Sequence, residues 1–230
     1  METITTVRKM LSEMRCITSS NNRSYRWNTP KLVKDKETHT DIFWNDIKNL
    51  TKEKKYYFGH FIFEKEADFG YSVLDGLQRL ITVSVFVSAL FENLKKFRPY
   101  KSLNKNEKDC FDDMVKIPSN IVTIETLKTL KTNEYLKNLV FEVCDTIDQE
   151  TKIKSIKRII KTFEYFIKIL SVKNESELML LLNIISEAPC TTYCLEISVD
   201  YELKHQIYQA INYRGKRLPN DYKEDPFIMF

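Results

Sequence analysis

Residues 77–96 constrain the fold more than any other part of the chain. Within them, Leu80 to Phe91 is an apolar run interrupted only by Thr82, Ser84 and Ser88. Wound as a helix, such a run has no polar face, so a helix from Leu77 to Lys96 must be enclosed by other protein. The twelve residues from Leu80 to Phe91 are too few to cross a bilayer, so the segment reads as a buried core helix rather than a membrane span. Directly before it, Tyr71 to Leu74 has the composition of a strand and ends on Asp75-Gly76. Only four glycines occur in 230 residues. A chain that spends them so sparingly is expected to place each where the backbone requires it.

The remaining pattern is mixed. Thr6 to Met14 reads as a short helix, and Ile17 to Trp27 as irregular or extended. Phe43, Trp44 and Ile47 lie at helical spacing near the end of the polar stretch Pro30 to Leu50. Tyr56 to Phe63 is aromatic and apolar enough to be a strand. Residues 104–187 read as helical; in the clearest segment, Ile153, Ile156, Ile160, Phe163, Ile167 and Leu170 form the expected core stripe, with Lys154, Lys157, Arg158, Lys161 and Lys168 mainly off it. Thr191 to Val199 alternates, which puts Tyr193, Leu195, Ile197 and Val199 on one face of a strand. Asp200 then caps a closing helix, Tyr201 to Tyr213. The fold class is α+β: a small mixed sheet packed with helices, plus a largely helical insertion or lobe. Residues 1–103 form the first part of the core, 104–187 the lobe, and 188–230 the strand and helix that complete the core.

Net charge is +4, too small to imply nucleic acid by itself. Five scattered cysteines suit a reducing cytosol. Cys190 and Cys194 lie four residues apart on a strand, a separation of roughly 13 Å, and are read as core residues rather than a metal pair. His60, on a strand, is read as a packed core histidine. No metal-binding set is expected from side chains alone.

Strand, glycine turn and helix start together present uncapped backbone N–H groups and the positive end of the helix dipole, which attract anions and phosphate above all. Arg79 stands in the first helical turn, where a cation is disfavoured unless an anion is near. That anion is either a bound phosphate gripped bidentately by the guanidinium, or Asp75, acting as N-cap and ion-pair partner four residues earlier. There is no P-loop: Gly215-Lys216 is followed by Arg217, with no glycine five residues before.

Asp75-Gly76-Leu77-Gln78-Arg79 resembles the Asp-Gly-Gln-Gln-Arg signature of the N-terminal domain of GmrSD-type bacterial restriction systems, and Leu80-Ile81-Thr82 continues it. Asn22-Arg23-Ser24-Tyr25-Arg26-Trp27 is similar to that family's Gln-Arg-x-Tyr-x-Trp. Tyr57-Phe58-Gly59-His60-Phe61-Ile62 is similar to its glycine-containing strand, and Asn212-Tyr213-Arg214-Gly215-Lys216-Arg217-Leu218 to its Asn-x-Arg-Gly-x-x-Leu. The resemblance runs from about residue 5 to 222. It implies a ParB/sulfiredoxin-like fold, binding and often hydrolysis of a nucleoside triphosphate with Mg2+, and a role in defence against phage DNA. Gln78 and Arg79 would then hold phosphates beside Gly76, and Asp75 would position the metal or a water. Arg23 would reach the same site from upstream, and Asn212 and Arg214 would close it. Leu77, Asn22 and Ile81 depart from the pattern; Leu77 and Ile81 remove hydrogen-bonding groups, and Asn22 keeps the carboxamide on a shorter stem. Asp221 comes one residue early, and the family's HNH nuclease domain does not follow. The expectation is a nucleotide-binding partner of a separate HNH-type subunit, or a truncated inactive relic.

Two other readings remain. Glu202-Leu203-Lys204 resembles the Glu-x-Lys of metal-dependent nucleases, but no partner aspartate is evident on a preceding strand, so the chain is not expected to cut DNA by itself. The basic helix from Lys152 to Lys168 would suit a non-enzymatic DNA-binding or scaffold module. Arg23, Tyr25 and Trp27 can stack on bases, or Tyr25 and Trp27 can simply anchor the N-terminal segment to the core.

Overall fold

The computed structural model describes residues 2–13, 16–17, 25, 27, 38–48, 50, 56–66, 70–98, 102–114 and 149–195. In chain order the elements are β1 (Glu2–Thr6), α1 (Val7–Glu13), β2 (Cys16–Ile17), α2 (His39–Ile47), β3 (His60–Glu66), β4 (Gly70–Asp75), α3 (Leu77–Leu94), α4 (Lys105–Met114), α5 (Gln149–Leu170), α6 (Glu175–Ser186) and β5 (Pro189–Leu195). The strands form one five-stranded mixed sheet in the order β1-β5-β3-β4-β2. β3 and β4 are antiparallel, as are β1 and β5, whereas β3 runs parallel to β5 and β2 parallel to β4. The fold is α+β, as the pattern of elements predicts.

α3 is the centre of the molecule. Of its side chains only Gln78, Arg79 and Glu92 are not buried. Its 18 residues are long and apolar enough to cross a membrane, but most of the helix is enclosed by the rest of the chain, as a core helix is. Ser84 and Ser88 donate to the carbonyls of Leu80 and Ser84, one turn back. Phe166 of α5 meets Phe86 of α3 at 5.1 Å and Phe43 of α2 at 5.8 Å, both edge-on. α6 packs on α3 as well, so one apolar cluster runs through the sheet and all these helices.

Local signals explain two helix starts. Thr38 and Asp41 form a capping box on α2, and Asn174 and Glu177 form one on α6. Other expectations are revised. Among the described side chains of α5 the buried ones are Ile159, Thr162, Phe166 and Leu170, whereas Ile160, Phe163 and Ile167 are only half-buried. The aromatic pocket of Phe43 and Phe86 and the hydroxyl of Tyr25 turn the helix by about one position. In β5 the core face is Cys190 and Thr192, while Tyr193 is 37% exposed. Strict alternation marks two faces but does not say which is inside. β3 begins at His60, not Tyr56, because Gly59 has φ +92° and breaks the extended run. Residues before it instead run beside β5 through Phe58 N–H to the Pro189 carbonyl at 2.8 Å. β1 was not expected from sequence; it is an edge strand whose partner, β5, lies far along the chain. Ile197, Val199, Asp200 and the helix expected from Tyr201 to Tyr213 lie outside the described residues.

Candidate functional site

β4 ends on Asp75, next to the start of α3. Gly76 occupies the N-cap position at φ +98°, and no side chain caps the helix. A Cβ at Gly76 would strike the Phe61 ring, so glycine is required for both conformation and space. The expectation that Asp75 caps α3 is therefore not met: the left-handed turn carries its carboxylate past the capping position. The first intrahelical bond runs from Leu80 N–H to the Gly76 carbonyl at 3.0 Å. The backbone N–H groups of Leu77, Gln78 and Arg79 thus precede the helical ladder.

Arg79 bends back over the sheet. Its Nη2 donates to the His60 carbonyl at 2.6 Å and to Asp75 Oδ2 at 3.3 Å, and its Nη1 donates to the Phe58 carbonyl at 3.1 Å. Its guanidinium lies 4.8 Å from the centre of the Phe61 ring. A Cβ at Gly59 would occupy the place of Nη1, which explains that second positive-φ glycine. Burial pulls the Arg79 pKa below its usual value, and the Asp75 charge pulls it back up. Three of the five guanidinium N–H groups are thus committed to the protein. The two left, Nε–H and one on Nη1, do not form a parallel fork. In this arrangement a bidentate phosphate grip is closed to Arg79, and the guanidinium offers its charge and single donors.

Asp75 Oδ2 also lies 3.9 Å from His60 Nε2, beyond hydrogen-bonding distance. The His60 side chain is 46% exposed, not a packed core histidine. Its place on the outer side of β3, edge-on to Tyr193, explains this. Gln78 is tied to the interior through its carbonyl, which accepts from Thr82 Oγ1 at 2.8 Å. With that proton used, the Tyr25 hydroxyl must donate to Thr82 at 2.9 Å, and Thr162 faces Tyr25 at 3.5 Å. Tyr25 is fully buried and its pKa is raised by that burial. It anchors the upstream segment to α3 and α5, and Arg158 donates to its carbonyl at 3.3 Å. Leu77 and Ile81, where the chain departs from the Gln- and Thr-bearing pattern, are buried in the core. Their apolar character therefore serves packing.

Beside Arg79 a cleft of about 90 Å³ opens, lined by Trp27, His39, Ile42, Phe43, Asp46, Tyr56, Phe58 and Arg79. Trp27 stacks on His39 with ring centres 5.3 Å apart. Tyr56 Oη donates to Asp46 Oδ2 at 3.3 Å. Burial first, then the Asp46 charge, pushes the Tyr56 pKa up to about 12. Sequence reasoning missed His39, Asp46 and Tyr56 as site residues, because nothing in their spacing joins them to residue 79.

The structure therefore brings Asp75, Gly76, Gln78 and Arg79 to one turn. Arg23, Asn212 and Arg214 lie outside the described residues, as do Asn22, Glu202 and Lys204. Among the described residues no three His, Cys, Asp or Glu side chains cluster closely enough to hold a metal ion. Neither Cys190 nor Cys194 is in a disulfide; Cys190 is buried and Cys194 partly so. A family model described as GmrSD restriction endonuclease, N-terminal domain, matches residues 21–221. No curated protein matches the chain in sequence.

Proposed function

Since this chain belongs to the family of the GmrSD restriction endonuclease N-terminal domain, and so to the setting of restriction systems, we propose that it binds a nucleoside triphosphate at the Asp75–Arg79 turn. The observation that carries the reading is the N-terminus of α3: a left-handed glycine, no capping side chain, and a fixed cation beside it. Backbone N–H groups and the helix dipole favour a phosphate there. Arg79 adds charge from a position held by the protein, so little ordering is needed when the ligand arrives. Asp75 fits a magnesium ion carried in by the nucleotide, since Mg2+ is commonly held by one or two carboxylates plus substrate phosphates. Arg23, Gln78, Asn212 and Arg214 complete the phosphate contacts on the strength of the family motifs. A bound Mg2+ would neutralise phosphate charge and support hydrolysis.

Nucleotide at a hundredfold its dissociation constant should stabilise the folded chain by about 2.7 kcal/mol. Thermal melts with each of the four ribonucleoside triphosphates and Mg2+ measure this, and no shift with any of them at millimolar concentration rejects the proposal. In this reading DNA cutting belongs to a separate HNH-type subunit. The chain by itself, incubated with phage DNA, Mg2+ and nucleotide, leaves the DNA intact; cleavage that co-purifies with the folded chain through successive columns would contradict that division of labour.

A further inference from the structure

The cleft beside Arg79 has more chemistry than a phosphate site requires. Most of its wall is aromatic: Trp27, His39, Phe43, Tyr56 and Phe58. Trp27 and His39 lie nearly parallel, at 18°, each covering one face of the other, and both line the cleft. A flat heteroaromatic ring is the ligand such a wall suits, because bases stack favourably on aromatic side chains. The same Arg79 lines this cleft and pairs with Asp75 at the turn, so cleft and turn share that side chain. The polar group that distinguishes the cleft is Asp46. It is an exposed residue of α2, with Oδ2 accepting from Tyr56 and Oδ1 without a partner among the described residues.

We propose that this cleft holds the base of the bound nucleotide, that the base is guanine, and that Asp46 is the residue that selects it. The inference rests on nucleotide binding at the Asp75–Arg79 turn. An ionised carboxylate only accepts hydrogen bonds. The Watson–Crick edge of guanine offers two adjacent donors, N1–H and the 2-amino group, which a carboxylate can accept together. Adenine and cytosine place a ring-nitrogen acceptor beside their amino group, and uracil flanks its one N–H with two carbonyls. Each of these turns a lone pair toward Asp46. Tyr56 fixes the carboxylate by donating to its other side, and Trp27 with His39 supplies the stacking face.

Isothermal titration of the full chain with GTP, ATP, CTP and UTP in the presence of Mg2+ tests this. GTP is expected to bind at least about tenfold tighter than the others, the equivalent of one charge-assisted hydrogen bond. Asp46→Asn, at an exposed position, should fold as the wild type does by circular dichroism. Its carboxamide still accepts from N1–H but meets the 2-amino group with a donor. GTP affinity should therefore fall about tenfold, and xanthosine triphosphate, which carries a carbonyl at that position, should gain by a similar factor. Trp27→Ala should weaken all four nucleotides alike. If no nucleotide binds the wild type, the turn itself has been misread. If nucleotides bind with equal affinity, or Asp46→Asn leaves their order unchanged, the turn stands and the guanine assignment is overturned.

Discussion

Arg79 and Gly59 form one unit. The arginine satisfies the carbonyls of Phe58 and His60, and the glycine makes room for its Nη1. Arg79→Ala would leave both carbonyls without that donor and Asp75 without its partner. The expected cost is about 2–3 kcal/mol, since hydrogen bonds from a charged group are worth more than neutral ones. Urea unfolding without nucleotide measures it, and a loss below about 0.5 kcal/mol would mean that the guanidinium is not a structural tie. Gly59→Ala meets two obstacles, a positive φ and the guanidinium itself. It should cost about 1–3 kcal/mol and weaken any nucleotide response by displacing Arg79. The motif around Asp75 was legible in the sequence because its five residues are contiguous. The attachment of Arg79 was not, because its acceptors are main-chain carbonyls of another strand, and every residue type carries one.

At the scale of elements, α3 is held by α5 chiefly through Phe166. Truncating it would leave a void between Phe43 and Phe86, at an expected cost of about 3–5 kcal/mol for Phe166→Ala. Phe163→Ala, at a half-buried position on the stripe the heptad pattern favours, should cost less than half as much. Denaturant melts of both variants decide between the two faces, and equal losses would refute the observed orientation of α5. Periodicity could locate this helix but not its rotation. Isoleucines at 153, 156 and 160 pull the apparent stripe one way, while the buried hydroxyl of Thr162, facing Tyr25, requires a polar residue on the core side. A pattern that counts only apolar residues discards that position.

The whole molecule should be least tolerant of alkali. Burial pushes the Cys190 thiol up to about 12 and the Tyr56 hydroxyl up to about 12, and it raises Tyr25 and Tyr165 as well. Each of these groups keeps its proton in the folded state at a pH where the unfolded chain has lost it. Their contribution is therefore fully present below the unfolded values, near 8.5 for cysteine and 10 for tyrosine, and is lost as pH rises toward about 12. Urea midpoints should fall from about pH 9 upward, and Cys190→Ala should make the fall between about pH 9 and 10 shallower, with Cys194, also raised by burial, still contributing; an unchanged midpoint up to about pH 11 would contradict these burials. Residue pattern alone was enough for the α+β class, the enclosed helix α3, and the strand, glycine turn and helix start of the candidate site. Those follow from local periodicity and from the limited conformations of a chain segment. Long-range packing set the rest: that β1 joins β5, which face of β5 turns inward, and that Trp27, His39, Asp46 and Tyr56 meet Arg79 at one cleft. Those arrangements arise from packing between segments distant in the chain, and the burial of each side chain there depends on partners that no local window contains.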